Sequence, residues 1–212
     1  MSRIILIGGP PRSGKTTLAQ RITKETGIPW ISTDAFDDIV QRYLPDDKRA
    51  ELFPKTILRK KSGGGNDELY DTCSVEEVVI AYLKQAESVH LAVETFVDCA
   101  LKEGWDYVIE GYHITPKLLS KLRASGHNFN SVVLISTDAK GVIERSLGSD
   151  ATNDWLRDKT LKEETYVRIA EMVSLFSQKI DQEARNLGME TVETSHDFQG
   201  QIDKSFNALV SS

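Results

Sequence analysis

The sequence predicts an α/β protein in which a parallel sheet is covered by helices on both faces. Three observations predict it. Short apolar runs at 4–7, 30–32, 107–109, 131–136 and 190–194 alternate with helical patterns, which is the signature of successive βαβ units. Runs such as Ile4-Ile5-Leu6-Ile7 carry no polar face, as strands buried on both sides require. That first run leads straight into Gly9-Pro10-Pro11-Arg12-Ser13-Gly14-Lys15-Thr16, a G-x-x-x-x-G-K-[ST] phosphate-binding loop set between a strand and a helix.

The elements follow in order. Thr17, Leu18, Ala19 and Ile22 open the first helix, and Gly27 to Ser32 reads as a turn and a second short strand ending at Thr33-Asp34. Phe36, Ile39, Val40, Tyr43 and Leu44 share one face of a helix that Pro45 ends. From Asp46 to Asp71 the pattern weakens around Pro54, a basic run Lys55, Arg59, Lys60, Lys61, and Ser62-Gly63-Gly64-Gly65-Asn66. This stretch is expected to be a surface flap over 46–72. Ser74-Val75-Glu76-Glu77 is a capping box opening a long helix, with Val75, Val79, Tyr82, Ala86, Val89, Val93, Phe96 and Ala100 in steps of four and three and Gly104 as its stop. Such spacing suits a coiled coil or a helix laid on a sheet, and the surrounding βα series favours the second. Tyr107 to Glu110 is the third strand, Pro116 to Ala124 a helix entered through Thr115, 131–136 the fourth strand, and 139–147 a further helix. The polar segment 148–154 is expected to belong to a lid over 148–161; helices at 161–187 and 198–209 bracket the last strand.

Length and charge bound the function. A chain of 212 residues is enough for one domain with a sizeable core. Lys and Arg number 26 against 32 Asp and Glu, a formal net charge of −6, which argues against a general nucleic-acid or membrane-surface binder. Cys73 and Cys99 form neither a disulfide framework nor a zinc pattern. With no N-terminal signal and no long apolar run, a cytoplasmic protein is expected.

The chemistry-bearing residues collect at strand ends. In the loop, Gly9 and Gly14 permit the backbone to curl, while the amides of Arg12, Ser13, Gly14, Lys15, Thr16 and Thr17 face an anion at the helix start. Pro10 and Pro11 lack N–H groups but lie early in the loop. Lys15 is the candidate for the β/γ-phosphates of ATP, and Thr16 for the shell of Mg²⁺. Asp34, after the second strand, is the candidate base toward a small-molecule hydroxyl acceptor, and it equally suits the N-cap of the helix that follows. Glu110 is placed to hold the Mg²⁺ shell or to orient the acceptor, and His113 to touch it. Thr137 and Ser195 also fall at strand ends. Arg145 and Arg157 bracket 148–154 and suit a lid that brings guanidinium groups onto the transferring phosphate; Arg168 follows it.

GGPPRSGKTT, the STD tripeptide at 32–34 and VIEGYHITP at 108–116 resemble small P-loop kinases, and most closely the kinase core of 2-phosphoglycerate kinase. Chloramphenicol phosphotransferases and zeta-type toxins are similar at a greater distance. The resemblance rests on Thr33-Asp34 and on an E-G-x-H-x-x-P element matched by Glu110, Gly111, His113 and Pro116. It implies a P-loop NTPase three-layer α/β/α sandwich with a five-stranded parallel sheet, and ATP- and Mg²⁺-dependent phosphotransfer with Asp34 as hydroxyl base. It also implies adenine resting near Arg145 and the 194–197 loop. One position departs from the pattern: Asp37 stands where the family has an arginine, and a carboxylate cannot hold an anionic acceptor as an arginine would. The basic run at 55–61 either compensates or is a solvated cluster, and its composition favours the latter. The alternative function is a nucleotide-dependent binding module that uses the long helix as a partner surface.

Overall fold

The computed structural model describes residues 2–138, 141–143 and 155–211, with Trp155 and Arg157 described by their backbone alone. Five strands are present among them: β1 (Ile4–Gly8), β2 (Trp30–Ser32), β3 (Tyr107–Glu110), β4 (Asn130–Ile135) and β5 (Val192–Glu193). They form one sheet in the order β2-β3-β1-β4-β5, every pairing parallel. The helices are α1 (Lys15–Thr26), α2 (Thr33–Tyr43), α3 (Asp46–Leu52), α4 (Pro54–Lys61), α5 (Asn66–Thr72), α6 (Val75–Glu103), α7 (Pro116–Ala124), α8 (Trp155–Asp158), α9 (Glu163–Asn186) and α10 (Phe198–Val210).

The central strand shows why its run lacks polar side chains. Ile4 and Leu6 join the core on one face of the sheet and Ile5 and Ile7 the core on the other, each at most 2% exposed. Burying each contributes about 1.5–3 kcal/mol. The smaller core is closed by Leu18, Ala19 and Ile22 of α1 and by Ile202, Phe206 and Leu209 of α10. The larger is closed by α6, α7 and α9, with Phe36 of α2 and Phe53 between α3 and α4. This is a P-loop α/β fold with helices on both faces.

The long helix forms as its capping box predicts: Ser74 N donates to Glu77 Oε2 at 2.8 Å and Glu77 N to Ser74 Oγ at 3.2 Å. Gly104 ends it in the left-handed conformation, φ 74°. Its apolar stripe is covered within the chain by α2, α4, α9 and the sheet, so the heptad-like spacing belongs to a core helix. The stripe is also wider than the periodicity suggested, because Gln85 and His90 are buried on it.

Two expectations change, and a third lies outside the described residues. Residues 46–72 are three helices rather than an irregular stretch, and they pin Phe53, Leu69 and Tyr70 into the core; Pro54 sits at the first turn of α4, where its missing N–H costs nothing. The helix after β2 starts at Thr33 with Ser32 as N-cap, its hydroxyl accepting from Asp34 N at 3.3 Å, so Asp34 is not the cap. The helix expected at 139–147 lies outside the described residues apart from 141–143, and 148–154 lies outside them entirely. Among the described residues no helix is long and apolar enough to cross a membrane.

Candidate active site

The loop between β1 and α1 is built from its own backbone. Gly14 caps α1 in the left-handed region, φ 97°, and a Cβ there would lie 2.7 Å from the Phe198 ring, so no other residue fits without moving α10. The first intrahelical bond runs from Leu18 N to Gly14 O at 3.0 Å, which leaves the amides of Lys15, Thr16 and Thr17 for an anion. Ser13 Oγ and Lys15 Nζ donate to the Pro10 carbonyl at 2.9 and 2.7 Å. Behind the loop, the buried Thr194 hydroxyl lies 3.0 Å from Ser13 O and 2.8 Å from Ile135 O. Thr194 therefore braces the loop from below. Asp197 caps α10 through Gly200 N.

Two strand-end residues are structural rather than reactive. Glu193 accepts from Thr137 N at 3.1 Å and from Ser195 N at 2.8 Å, and Ser195 Oγ accepts from Asp138 N at 2.9 Å. Thr137 and Ser195 are thus spent in joining the ends of β4 and β5.

Lys15, Thr16, Asp34 and Glu110 do converge. β1 and β3 pair in a register that sets Ile7 against Glu110, so the carboxylate at the end of β3 stands beside the loop. Thr16 Oγ1 donates to Glu110 Oε1 at 3.2 Å. Burial pushes Glu110 above the usual carboxylate range, Lys15 opposing and Asp34 adding to the shift. Burial likewise lowers Lys15, with Glu110 and then Asp34 opposing. Both groups are less than one-tenth exposed, and each opposes the shift that burial imposes on the other. A hydroxyl and a carboxylate side by side are hard oxygen ligands of the kind Mg²⁺ takes, so the donor set fits that ion. Asp34, in the first turn of α2, is exposed, and among the described residues its carboxylate has no hydrogen-bond or ion-pair partner.

Across from the loop lies a buried polar constellation drawn from α2, α4, α6 and the turn after β3. Asp37, 4% exposed, accepts from Gln41 Nε2 at 2.9 Å and from Gln85 Nε2 at 2.8 Å. Gln85 Oε1 in turn accepts from Thr56 N at 3.0 Å, which fixes α4 against α6. Lys55 Nζ and His113 Nε2 each stand 3.7 Å from Asp37 Oδ2. Burial pushes Asp37 up, but His113, Lys55 and Gln85 outweigh it and hold the carboxyl below its usual range. Burial lowers His113 despite Asp37, so the imidazole is neutral at pH 7. Its Nδ1 is 2.7 Å from Thr33 Oγ1. That contact depends on Gly111, since a Cβ there would lie 1.7 Å from the Thr33 hydroxyl. The E-G-x-H spacing is thereby explained: glycine lets the turn close onto Thr33 and delivers the imidazole.

Asp34, Asp37 and His113 offer ligand atoms within 4.8 Å of one another. Lys55 already supplies the positive charge there, and a metal ion beside its ammonium would be repelled. The constellation therefore suits a polar organic ligand better than an ion.

Of the other expected residues, Gly9 and Arg12 are in the loop with φ 131° and 64°. Arg145 lies outside the described residues, and only the backbone of Arg157 is described, in α8. Arg168 donates to Tyr70 O from α9. The sequence singled out neither Gln85 nor Tyr112, and of the two readings open for the 55–61 run it favoured a solvated cluster, yet the Lys55 side chain is only 19% exposed. A signal existed in the polar Gln85 on the apolar stripe of α6, which marks a buried hydrogen-bonding partner.

No family model matches the chain. It is 27% identical over 191 residues to the 2-phosphoglycerate kinase of Methanothermobacter thermautotrophicus, covering 90% of this chain and 60% of that protein. It is 28% identical over 137 residues to that of Methanococcus vannielii, covering 64% and 42%. The chain thus spans about half the length of the curated relatives it matches. Among solved structures, a shikimate kinase from Bacteroides thetaiotaomicron superposes with a TM-score of 0.52 at 11% identity, over 99% of this chain and 97% of that one. A gluconokinase from Sinorhizobium meliloti 1021 superposes with a TM-score of 0.53 at 14% identity, over 99% and 92%. These two share the fold, and the sequence relatives carry the resemblance to the kinase core of 2-phosphoglycerate kinase.

Proposed function

We propose that the protein transfers the γ-phosphoryl group of ATP to a hydroxyl of a small molecule. The observation that carries this reading is the meeting, at the carboxyl ends of β1, β2 and β3, of a phosphate loop with the Glu110 and Asp34 carboxylates. Phosphoryl transfer asks mainly for positioning and charge neutralisation, with one group to receive the hydroxyl proton. Lys15 and the loop amides hold the triphosphate. Mg²⁺, taken by Thr16 and Glu110, would neutralise charge on the phosphates. Asp34, unpaired and facing solvent, accepts the proton, and His113 and the Asp37 constellation shape the acceptor side. The sequence relatives named 2-phosphoglycerate kinase support transfer to a hydroxyl acceptor. Arg145 and Arg157 remain the proposed lid cations.

The test is acceptor-stimulated release of ADP from Mg²⁺-ATP, screened over hydroxylated metabolites. Stimulation that is lost in Asp34→Asn is the expected result. Tight ATP binding with no acceptor-dependent ADP would refute phosphotransfer.

A further inference from the structure

We propose that Lys55 anchors a single carboxylate of the acceptor, so that the pocket takes a hydroxy acid of one negative charge in preference to a neutral polyol or a phosphorylated acid. The proposal rests on the phosphotransfer reading and names the acceptor class of that site.

Lys60 and Lys61 on the same helix are exposed, while Lys55 turns inward between two tyrosine rings, its Nζ 5.3 Å from the centre of Tyr82 and 4.9 Å from that of Tyr112. An ammonium has three N–H donors. Among the described residues this one makes a single hydrogen bond, to Tyr112 Oη at 3.1 Å. Asp37 Oδ2, at 3.7 Å, compensates its charge but is too far to accept a proton. Two donors of this largely buried cation meet no protein acceptor among the described residues, and the acceptor atoms of a ligand can take them. A second under-satisfied group stands beside it: His113 is fully buried, and its Nε2, 3.7 Å from Asp37 Oδ2, has no partner within hydrogen-bond distance among the described residues.

Position links this anchor to the reacting group. Lys55 and His113 both flank Asp37 Oδ2, and Asp34 offers an oxygen within 4.8 Å of the Asp37 and His113 ligand atoms. A carboxylate on Lys55 and a hydroxyl at Asp34 thus belong to one small molecule, separated by a few bonds. Charge sets the limit on that molecule. Among the described residues, Asp34 and Asp37 set two carboxylates beside the one Lys55 ammonium. One oxyanion can pair with Lys55; a second or third would face Asp34, Asp37 and the triphosphate in a poorly screened cleft. A polyol would leave the ammonium without an anion.

Calorimetric titration of the protein loaded with a non-hydrolysable ATP analogue and Mg²⁺ tests this. The probes are matched pairs, glycerate with glycerol and gluconate with sorbitol, together with 2-phosphoglycerate. At least one monocarboxylate should bind tenfold or more tighter than its neutral partner and than 2-phosphoglycerate. Lys55→Met, which keeps the apolar stem between the rings, should erase that preference while nucleotide affinity stays within twofold. Equal binding of acid and polyol, tighter binding of 2-phosphoglycerate, no binding of either acid, or a preference that survives Lys55→Met would each overturn the proposal. Should Lys55→Met melt at room temperature, the ranking of the unaltered protein still decides the acceptor class. ADP release, read separately with ATP, distinguishes the two levels: an acid that binds through Lys55 without yielding ADP sustains the anchor and refutes phosphotransfer.

Discussion

The two sides of the cleft are assembled in opposite ways. The phosphate loop is one unbroken stretch, 9–16, whose shape comes from glycine torsions, a helix start and bonds to its own Pro10 carbonyl. The facing side takes Asp34 and Asp37 from α2, Lys55 from α4, Gln85 from α6 and His113 from the turn after β3, joined by side-chain hydrogen bonds. A site made of backbone tolerates changes elsewhere in the chain, whereas one made of side chains from remote segments depends on every link. Asp34 and Asp37 are three positions apart, yet the first is exposed, with no partner among the described residues, and the second is buried under four polar neighbours.

That contrast can be broken by substitution. The largest effect is expected for Asp34→Asn, which should lower turnover about 10²–10⁴-fold with a melting temperature close to that of the parent, measured by steady-state kinetics beside thermal denaturation. A stability loss as large as the activity loss would make Asp34 structural. Asp37→Ala should do the reverse, destabilising by about 3–5 kcal/mol because Lys55 loses its compensating charge and two glutamines lose their acceptor; denaturant unfolding measures it, and a shift under 1 kcal/mol would mean the constellation is not cooperative. Lys15→Ala should reduce phosphotransfer about 10²–10³-fold and weaken Mg²⁺-ATP binding while leaving the fold intact, since its amide frame survives.

The smallest effect sharpens the comparison from outside the cleft. His90, buried on α6 and 3.3 Å from Thr115 Oγ1, is lowered to about 4 by burial, against the partial opposition of Glu87. A base with a depressed folded pKa gives the unfolded chain more protons between about 6.5 and 4. Stability should therefore fall as pH drops through that window, by up to about 3 kcal/mol at its lower end, and His90→Gln should flatten the slope. An unchanged slope in that variant would assign the acid sensitivity elsewhere.

How much was readable depends on which interactions are local. The loop, the capping box of α6 and the order of strands and helices follow from neighbouring residues, and they appear where periodicity and spacing put them. The 46–72 stretch did not, because its short helices hold position by burying Phe53, Leu69 and Tyr70 against α6 and α9 rather than by propensity. Asp34 was readable as a strand-end carboxylate, but its release from capping was not, since Ser32 and Asp34 both suit that role and only the backbone chooses. Asp37 read as an obstacle to an anionic acceptor; buried with Lys55 beside it, it becomes the group that holds a cation in place.

By itself the sequence determined the sheet-forming runs, the phosphate loop and the carboxylates at the ends of β2 and β3, because each is encoded in contiguous residues with their own torsional and hydrogen-bonding demands. Only the tertiary structure decided that Lys55 turns inward, that Gln85 ties α2 to α4, and that Thr194 braces the phosphate loop. Those contacts join residues from 29 to 181 positions apart, and pairings at such range depend on how the layers pack, which no local pattern records.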